Sequence, residues 1–472
     1  MTTIVDIHCH TFNADDLPVR GFLQRVAFHD NLFTDDLAAL VDRVVQGRAP
    51  GFVAENARLD MLLGGAALPE ATELPEAVQA PAAALEDEVD RAMAELAVTD
   101  PDLLRRVGVE LASEGAPPPL GSEQEGALDW FHAARRAVRW AKVYGSYRLD
   151  NTAALLNLFG DRVHLATPLL VDLGMGLDDT AATTLRQQIV LHEKISRLSL
   201  HGRLPAGARG HVHGFAAFDP RRELRARRVG DVDRPMDVLR DAINRYGFVG
   251  VKLYPPMGFM PLGNAAAGVH NGAELDGILR EFYNWCVTED VPITAHGSAS
   301  NHAHQQFADF GSPTNWARVL DEFGDVHLNL GHFGGTDDAP AAWPRGIARL
   351  AAAHPHVYAD VGNHRIDRPD IRERYLQFLD AVFSDPATAL MDQRLRFGTD
   401  WYMLAIQPEH DQFLDRYEQA YRDRFGAART DAFLGTNALR FLGFDDAGNA
   451  NNRRARDRYN DHDLPDWLPT DN

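Results

Sequence analysis

Apolar residues along this chain gather into short runs separated by longer stretches with helical spacing. Eight runs read as strands, at 4–8, 163–171, 212–218, 248–254, 292–296, 326–332, 357–361 and 395–399. Several, such as FVGVKLY and VHLNLGHFGG, are nearly unbroken in apolar and small residues, the pattern of strands buried on both faces. Between them Met236, Leu239 and Ile243 recur at helical spacing within 235–246, and 275–287 reads the same way. Strand and helix in alternation predict a parallel α/β fold, and eight strands predict a closed (β/α)8 TIM barrel.

The interval between the first two runs is far longer than a crossover helix needs, so about 35–145 is expected to be an insertion in a barrel spanning 1–444. Inside it Leu85, Val89, Met93 and Leu96 repeat at helical spacing, while Pro69, Pro75, Pro81 and Pro117 to Pro119 break the pattern. Loops that follow barrel strands rise on the catalytic face, which makes this insertion a candidate lid, or equally a helical cap or an oligomer contact. Residues 445–472 are rich in Asn, Asp and Arg with little apolar periodicity, and read as a polar surface tail.

Charge sharpens the picture of the insertion. The formal charge is −21, and fourteen acidic against three basic side chains between Glu70 and Glu125 supply about half of it. Such a surface repels phosphate backbones and anionic lipid, which argues against nucleic acid and membranes as partners, so a small-molecule substrate is the remaining expected partner and solubility the plain meaning of the charge. No apolar run approaches the roughly 18 residues that span a bilayer, and the N-terminus reads as a strand rather than a cleavable signal. Only Cys9 and Cys286 are present, so there is no disulfide framework. A cytoplasmic homo-oligomer is the expectation.

The candidate chemistry lies in histidines. With 20 of them in 472 residues, roughly one His-Xaa-His pair arises by chance, yet four occur: His8/His10, His211/His213, His302/His304 and His354/His356. Only the first ends a strand, where period-2 spacing turns both imidazoles to the same side. His354/His356 precedes a strand and is expected at the opposite face, while His211/His213 begins one, and both pairs are expected to be structural. His302/His304 follows the fifth strand, close enough to meet substrate or simply to sit in a solvated loop. His296, His332 and Asp400 then stand at the ends of later strands. Imidazoles and a carboxylate converging at one mouth suit a divalent cation, zinc first with manganese or iron also compatible, and three or four ligands leave a position for water or substrate.

In DIHCHTFN, GVKLYPPMGF, PITAHGSAS, LNLGHFGG, LRFGTDWY and LGTNALRFLGF, in that order over nearly the whole chain, the sequence resembles the amidohydrolase superfamily, in particular the branch that includes aminocarboxymuconate-semialdehyde decarboxylase. The resemblance implies that His8, His10, His296 and Asp400 hold one metal, with His332 catalytic or a ligand of a second ion. Lys252, in GVKLYPP, resembles the dihydroorotase pattern, in which a carboxylated lysine at this strand end bridges two metals. In the single-metal branch such a lysine stays an ammonium near the substrate or supports the barrel, and the overall resemblance leans to one ion.

The expected reaction is hydrolysis of a C–N or C–O bond, in an amide, lactam, lactone or ester, by a metal-activated water. Asp400 would take the proton, and His332 would polarise the carbonyl or stabilise the oxyanion. The alternatives are non-oxidative decarboxylation of a small carboxylic acid by the same groups, and a non-catalytic barrel that only binds a small ligand. Candidate substrate contacts are Tyr254, Arg148, Trp401 and His302, with Tyr147, Arg365 and Tyr402 beside them.

Overall fold

The computed structural model describes residues 3–18, 21–22, 32–45, 49–64, 84–113, 123–335, 342–364, 366, 369–401, 403–407, 409–459 and 464–470. Its parallel strands are β1 (Val5–Cys9), β2 (Leu165–Pro168), β3 (His211–Val212), β4 (Phe215–Phe218), β5 (Gly250–Leu253), β6 (Ile293–Ser298), β7 (Leu328–Gly334), β8 (Val357–Asp360) and β9 (Leu395–Arg396). They form a three-stranded sheet, β1 to β3, and a six-stranded sheet, β4 to β9. The two sheets are joined at both ends. Leu169 bridges to Phe215, and the Leu170 N–H donates to the Phe215 carbonyl at 2.9 Å. Across the other seam the Ile7 N–H donates to the Phe397 carbonyl at 3.3 Å, and the Asp400 N–H to the His8 carbonyl at 2.7 Å. With β3 and β4 as two halves of one stave, eight staves close a ring, and the fold is a (β/α)8 TIM barrel.

Each apolar run of the sequence contains a stave, and every strand is buried along nearly its whole length, as a wall between helices and barrel interior requires. The third run is divided because β3 pairs with β2 while β4 pairs with β5. Helices Pro235–Arg245 and Gly272–Thr288 cover the outside, burying Met236, Leu239 and Ile243 from the first and Leu275, Leu279 and Phe282 from the second. Proline at the first position of Pro235–Arg245 places its missing N–H where no intrahelical partner exists.

Between β1 and β2 the insertion is helical, with Leu32–Val45, Phe52–Leu63, Ala84–Thr99, Pro101–Ser113, Glu123–Tyr144 and Arg148–Leu158. Val89, Met93 and Leu96 are buried in one cluster with Leu40, Leu104, Val107 and Trp140, so the helical spacing read from the sequence marks the face packed on its neighbours. The prolines at 69, 75, 81 and 117–119 lie outside the described residues. No described helix is long and apolar enough to cross a membrane.

The stretch after Asp445 departs from the surface tail expected of its composition. It forms the helix Ala450–Arg456, and Tyr459, Trp467 and Leu468 are buried in a cluster with Val5, Leu165, Phe215 and Val249. Asn451 Nδ2 donates to the carbonyls of Val249 and Leu442, both at 2.9 Å, and the Tyr459 hydroxyl meets His213 Nε2 at 2.9 Å. Few apolar side chains are needed to plug a small opening, and asparagines do the rest by satisfying exposed carbonyls, so composition hides the contact. Trp467→Ala is expected to lower the unfolding free energy by about 3 kcal/mol in urea titration. A change below about 0.5 kcal/mol, the range for exposed positions, would restore the tail to the surface.

Candidate metal centre

Strand ends bring the candidate side chains to one mouth. His8, His10, Lys252, Tyr254, His296, His332 and Asp400 line a single pocket with Phe12, Phe22, Tyr144, Val171, Leu173, Asn301 and Met403. Tyr144 ends the long insertion helix, so the insertion contributes a wall of this pocket. Within the mouth His8, His10 and Asp400 offer ligand atoms that all lie within 4.8 Å of one another. Asp400 Oδ1 is 3.2 Å from His10 Nε2 and 3.6 Å from His8 Nε2.

The imidazoles are oriented from behind. His8 Nδ1 lies 2.9 Å from Asp360 Oδ1, His10 Nδ1 2.9 Å from the Leu169 carbonyl, and His332 Nδ1 3.0 Å from the Gly362 carbonyl. A carbonyl or carboxylate accepts only, so each Nδ1 carries a proton, and in the neutral ring Nε2 is left with the lone pair, the tautomer a cation needs. His296 differs. Its Nε2 meets the Ser300 carbonyl at 3.0 Å and Ser298 Oγ at 2.8 Å, and its ring stacks on Tyr254 at 4.5 Å. The group of four that the resemblance implies is thus brought together as three, with His296 and His332 lining the same pocket outside that close set.

Burial favours the neutral form of His8 and His296. Burial, aided by Lys252 and His332 and opposed by Asp360, pulls His8 down to about 4, and burial with its cationic neighbours holds His296 well below the usual histidine range. Burial alone would raise Asp400, but the hydrogen bond to His10 and the surrounding imidazoles hold it well below the usual carboxylate range. Burial pulls the Lys252 ammonium down to about 8 against the attraction of Asp360 and Asp400.

Asp360, at the end of β8, was not among the sequence candidates. It is fully buried and accepts from His8 Nδ1, from the N–H groups of His332 and Gly362 at 3.1 and 3.0 Å, and from Asn329 Nδ2 at 2.6 Å. The signal was an Asp one residue before the end of a predicted strand, close to the kind of position that singled out Asp400. Around His8, a Cβ on Gly331, Gly362 or Gly398 would approach its side chain to 2.9, 3.0 and 2.7 Å, so three strands come close only because these positions lack one. His332 and Asp400 have φ of +63° and +51°, and Phe333 has +40°. Such values in non-glycine residues concentrate at functional sites, and here the His332 N–H bond to Asp360 holds the turn.

Other candidates lie elsewhere. Arg148 is fully buried in an ion cluster, donating to Asp16 at 2.6 and 2.7 Å, to Glu55 at 2.6 Å and to Thr183 at 3.1 Å. Four of its five N–H donors are engaged there, and it does not line the pocket, which corrects that expectation. Tyr147 lies under the Arg58 guanidinium at 4.5 Å. Trp401 is buried and His302 adjoins the pocket through Asn301, but neither lines it. Arg365 and Tyr402 lie outside the described residues. At the opposite face His213 is buried between the Gly247 carbonyl and Tyr459, and His356 stacks on His327 at 4.3 Å.

Against known proteins, the family model Amidohydro_2, described as amidohydrolase, matches residues 207–444. A comparison with curated proteins found no match. Among solved structures, an amidohydrolase from Burkholderia multivorans with bound zinc is 17% identical, covering 64% of this chain and 91% of that one with a TM-score of 0.42. Dihydroorotase from Saccharomyces cerevisiae is 14% identical, covering 63% and 81% with a TM-score of 0.39. Amidohydrolase 2 from Bifidobacterium longum subsp. infantis is 16% identical, covering 50% and 81% with a TM-score of 0.27.

Asp360→Asn should weaken zinc uptake about 10- to 100-fold, as loss of a histidine's carboxylate partner generally does, measured by competition with a chelator. Unchanged affinity would show that His8 is oriented without it. Arg148→Met should instead destabilise the fold by about 3–5 kcal/mol in urea titration, since Asp16 and Glu55 are left buried without their partner.

Proposed function

Because this chain belongs to the amidohydrolase family, we propose that it is a metal-dependent hydrolase that cleaves a C–N or C–O bond of a small molecule. The observation that carries the reading is the close set of His8, His10 and Asp400, with the far nitrogen of each imidazole already tied to Asp360 or Leu169. Two neutral nitrogens and one carboxylate fit a single zinc, with manganese or iron also compatible. When bound, the ion supplies Lewis acidity and makes water nucleophilic at neutral pH.

The chain's own groups divide the remaining work. Asp400, held ionised, accepts the water proton on its carboxylate and returns it to the departing nitrogen or oxygen. His332, with Nδ1 donating to the Gly362 carbonyl, presents a lone pair at Nε2 when neutral. In that state it accepts a proton or binds a cation, and donation to an oxyanion requires the imidazolium. Phe12, Tyr144, Val171 and Leu173 exclude bulk water from one side of the pocket, which strengthens the electrostatic interactions inside it.

Purified protein is expected to carry about one equivalent of a divalent transition metal by elemental analysis. With a panel of small amides, lactams, lactones and esters, chromatography should find an amine or alcohol as product. Carbon dioxide in its place would identify a decarboxylase, and protein that refuses zinc, manganese and iron would remove the premise. Asp400→Asn should lower turnover by about 10²- to 10⁴-fold while leaving the thermal midpoint nearly unchanged. His356→Gln, at the other face, should leave turnover within about twofold, as expected of a residue remote from the catalytic end.

A further inference from the structure

Resting on the reading of this pocket as an active site, we propose that Lys252 anchors a carboxylate of the substrate, so that the protein acts on small carboxylic acids whose scissile bond lies beside Asp400.

Lys252 belongs to β5, is 3% exposed and lines the pocket. Its Nζ lies 5.6 Å from the centre of the Tyr254 ring, and no described residue gives it a hydrogen bond or an ion pair. A buried ammonium has three donors to satisfy, and leaving them empty is unfavourable. The nearby carboxylates are committed elsewhere: Asp360 to His8, Asn329 and two backbone N–H groups, Asp400 to His8 and His10. An anion brought by the substrate is the partner that matches both charge and donors.

The pocket restricts what that anion is attached to. Its free volume is about 40 Å³, room for a few waters or a group of carboxylate size. Phe12, Val171, Leu173 and Met403 present apolar side chains, so a polyhydroxylated substrate would leave hydroxyls unpaired there. The rival state, a carboxylated Lys252 between two cations, needs His296 and His332 on the second ion. His296 Nε2 is instead engaged by Ser298 and Ser300, and neither histidine belongs to the close set.

Calorimetric titration of the full-length protein with malonate and with malonamide, both metal-stripped and zinc-loaded, tests the proposal. Malonate affinity should fall about tenfold or more in Lys252→Met, remain partly intact in Lys252→Arg, and malonamide binding should not change. If the methionine variant does not fold, Lys252→Gln should show the same loss. Malonate binding that survives the loss of charge, an equal loss for malonamide, or no malonate binding by the parent protein overturns the proposal. A carbamate carbon resonance in protein prepared with carbon-13 bicarbonate does so as well. Malonate binding to metal-stripped protein reports the lysine alone, so failure to take up metal would sink the hydrolase reading and leave this one standing.

Discussion

The hydrogen bond from His8 Nδ1 to Asp360 is the contact on which the rest of the site depends. It joins the first stave of the barrel to the seventh, and fixes which nitrogen of His8 faces the mouth. The same carboxylate holds the His332 N–H near the end of β7 and the side chain of Asn329, so one buried anion arranges two histidines and the left-handed backbone at His332. Asp360 stays ionised in a fully buried position because its acceptor sites are filled by donors from His8, Asn329 and two backbone N–H groups. The backbone at Gly331, Gly362 and Gly398 leaves no room for a Cβ beside His8, so the ring sits in a close-fitting cradle. The consequence is a preorganised pair of nitrogens opposite Asp400, with little conformational entropy left to lose when a cation arrives.

A second buried charge cluster decides how the insertion meets this centre. Arg148 ties Asp16, just after the first stave, to Glu55 on an insertion helix, and Tyr144 precedes it at the end of another. The net gain in stability from such a cluster is small, because desolvation offsets much of the attraction. What it specifies is register: carboxylates from two separate segments accept only one placement of the guanidinium. That placement seats Tyr144, whose ring meets Phe12 at 6.0 Å, as a wall of the pocket. An arginine that would suit substrate recognition by residue type is therefore a clamp for the element that shapes the pocket.

Sequence alone determined the barrel and most of its mouth. Eight apolar runs correspond to eight staves because strands buried on both faces need continuous apolar character, and the positions of His8, His10, His296, His332 and Asp400 follow from where those runs end. Their convergence on one pocket was legible for the same reason, since strand ends of a closed parallel barrel share a face. Tertiary structure decided what depends on neighbours distant in the chain. It showed that the close set contains His8, His10 and Asp400, while Ser298 and Ser300 engage His296. It also showed that Asp360 stands behind His8, and that Arg148 is consumed by two carboxylates. The chain after Asp445 closes the barrel floor with Ala455, Tyr459, Trp467, Leu468 and a few asparagine bonds, too sparse a pattern for periodicity to register. Periodicity reports which face of an element is buried, whereas the partner of a polar group is set by three-dimensional proximity, which one-dimensional spacing does not encode.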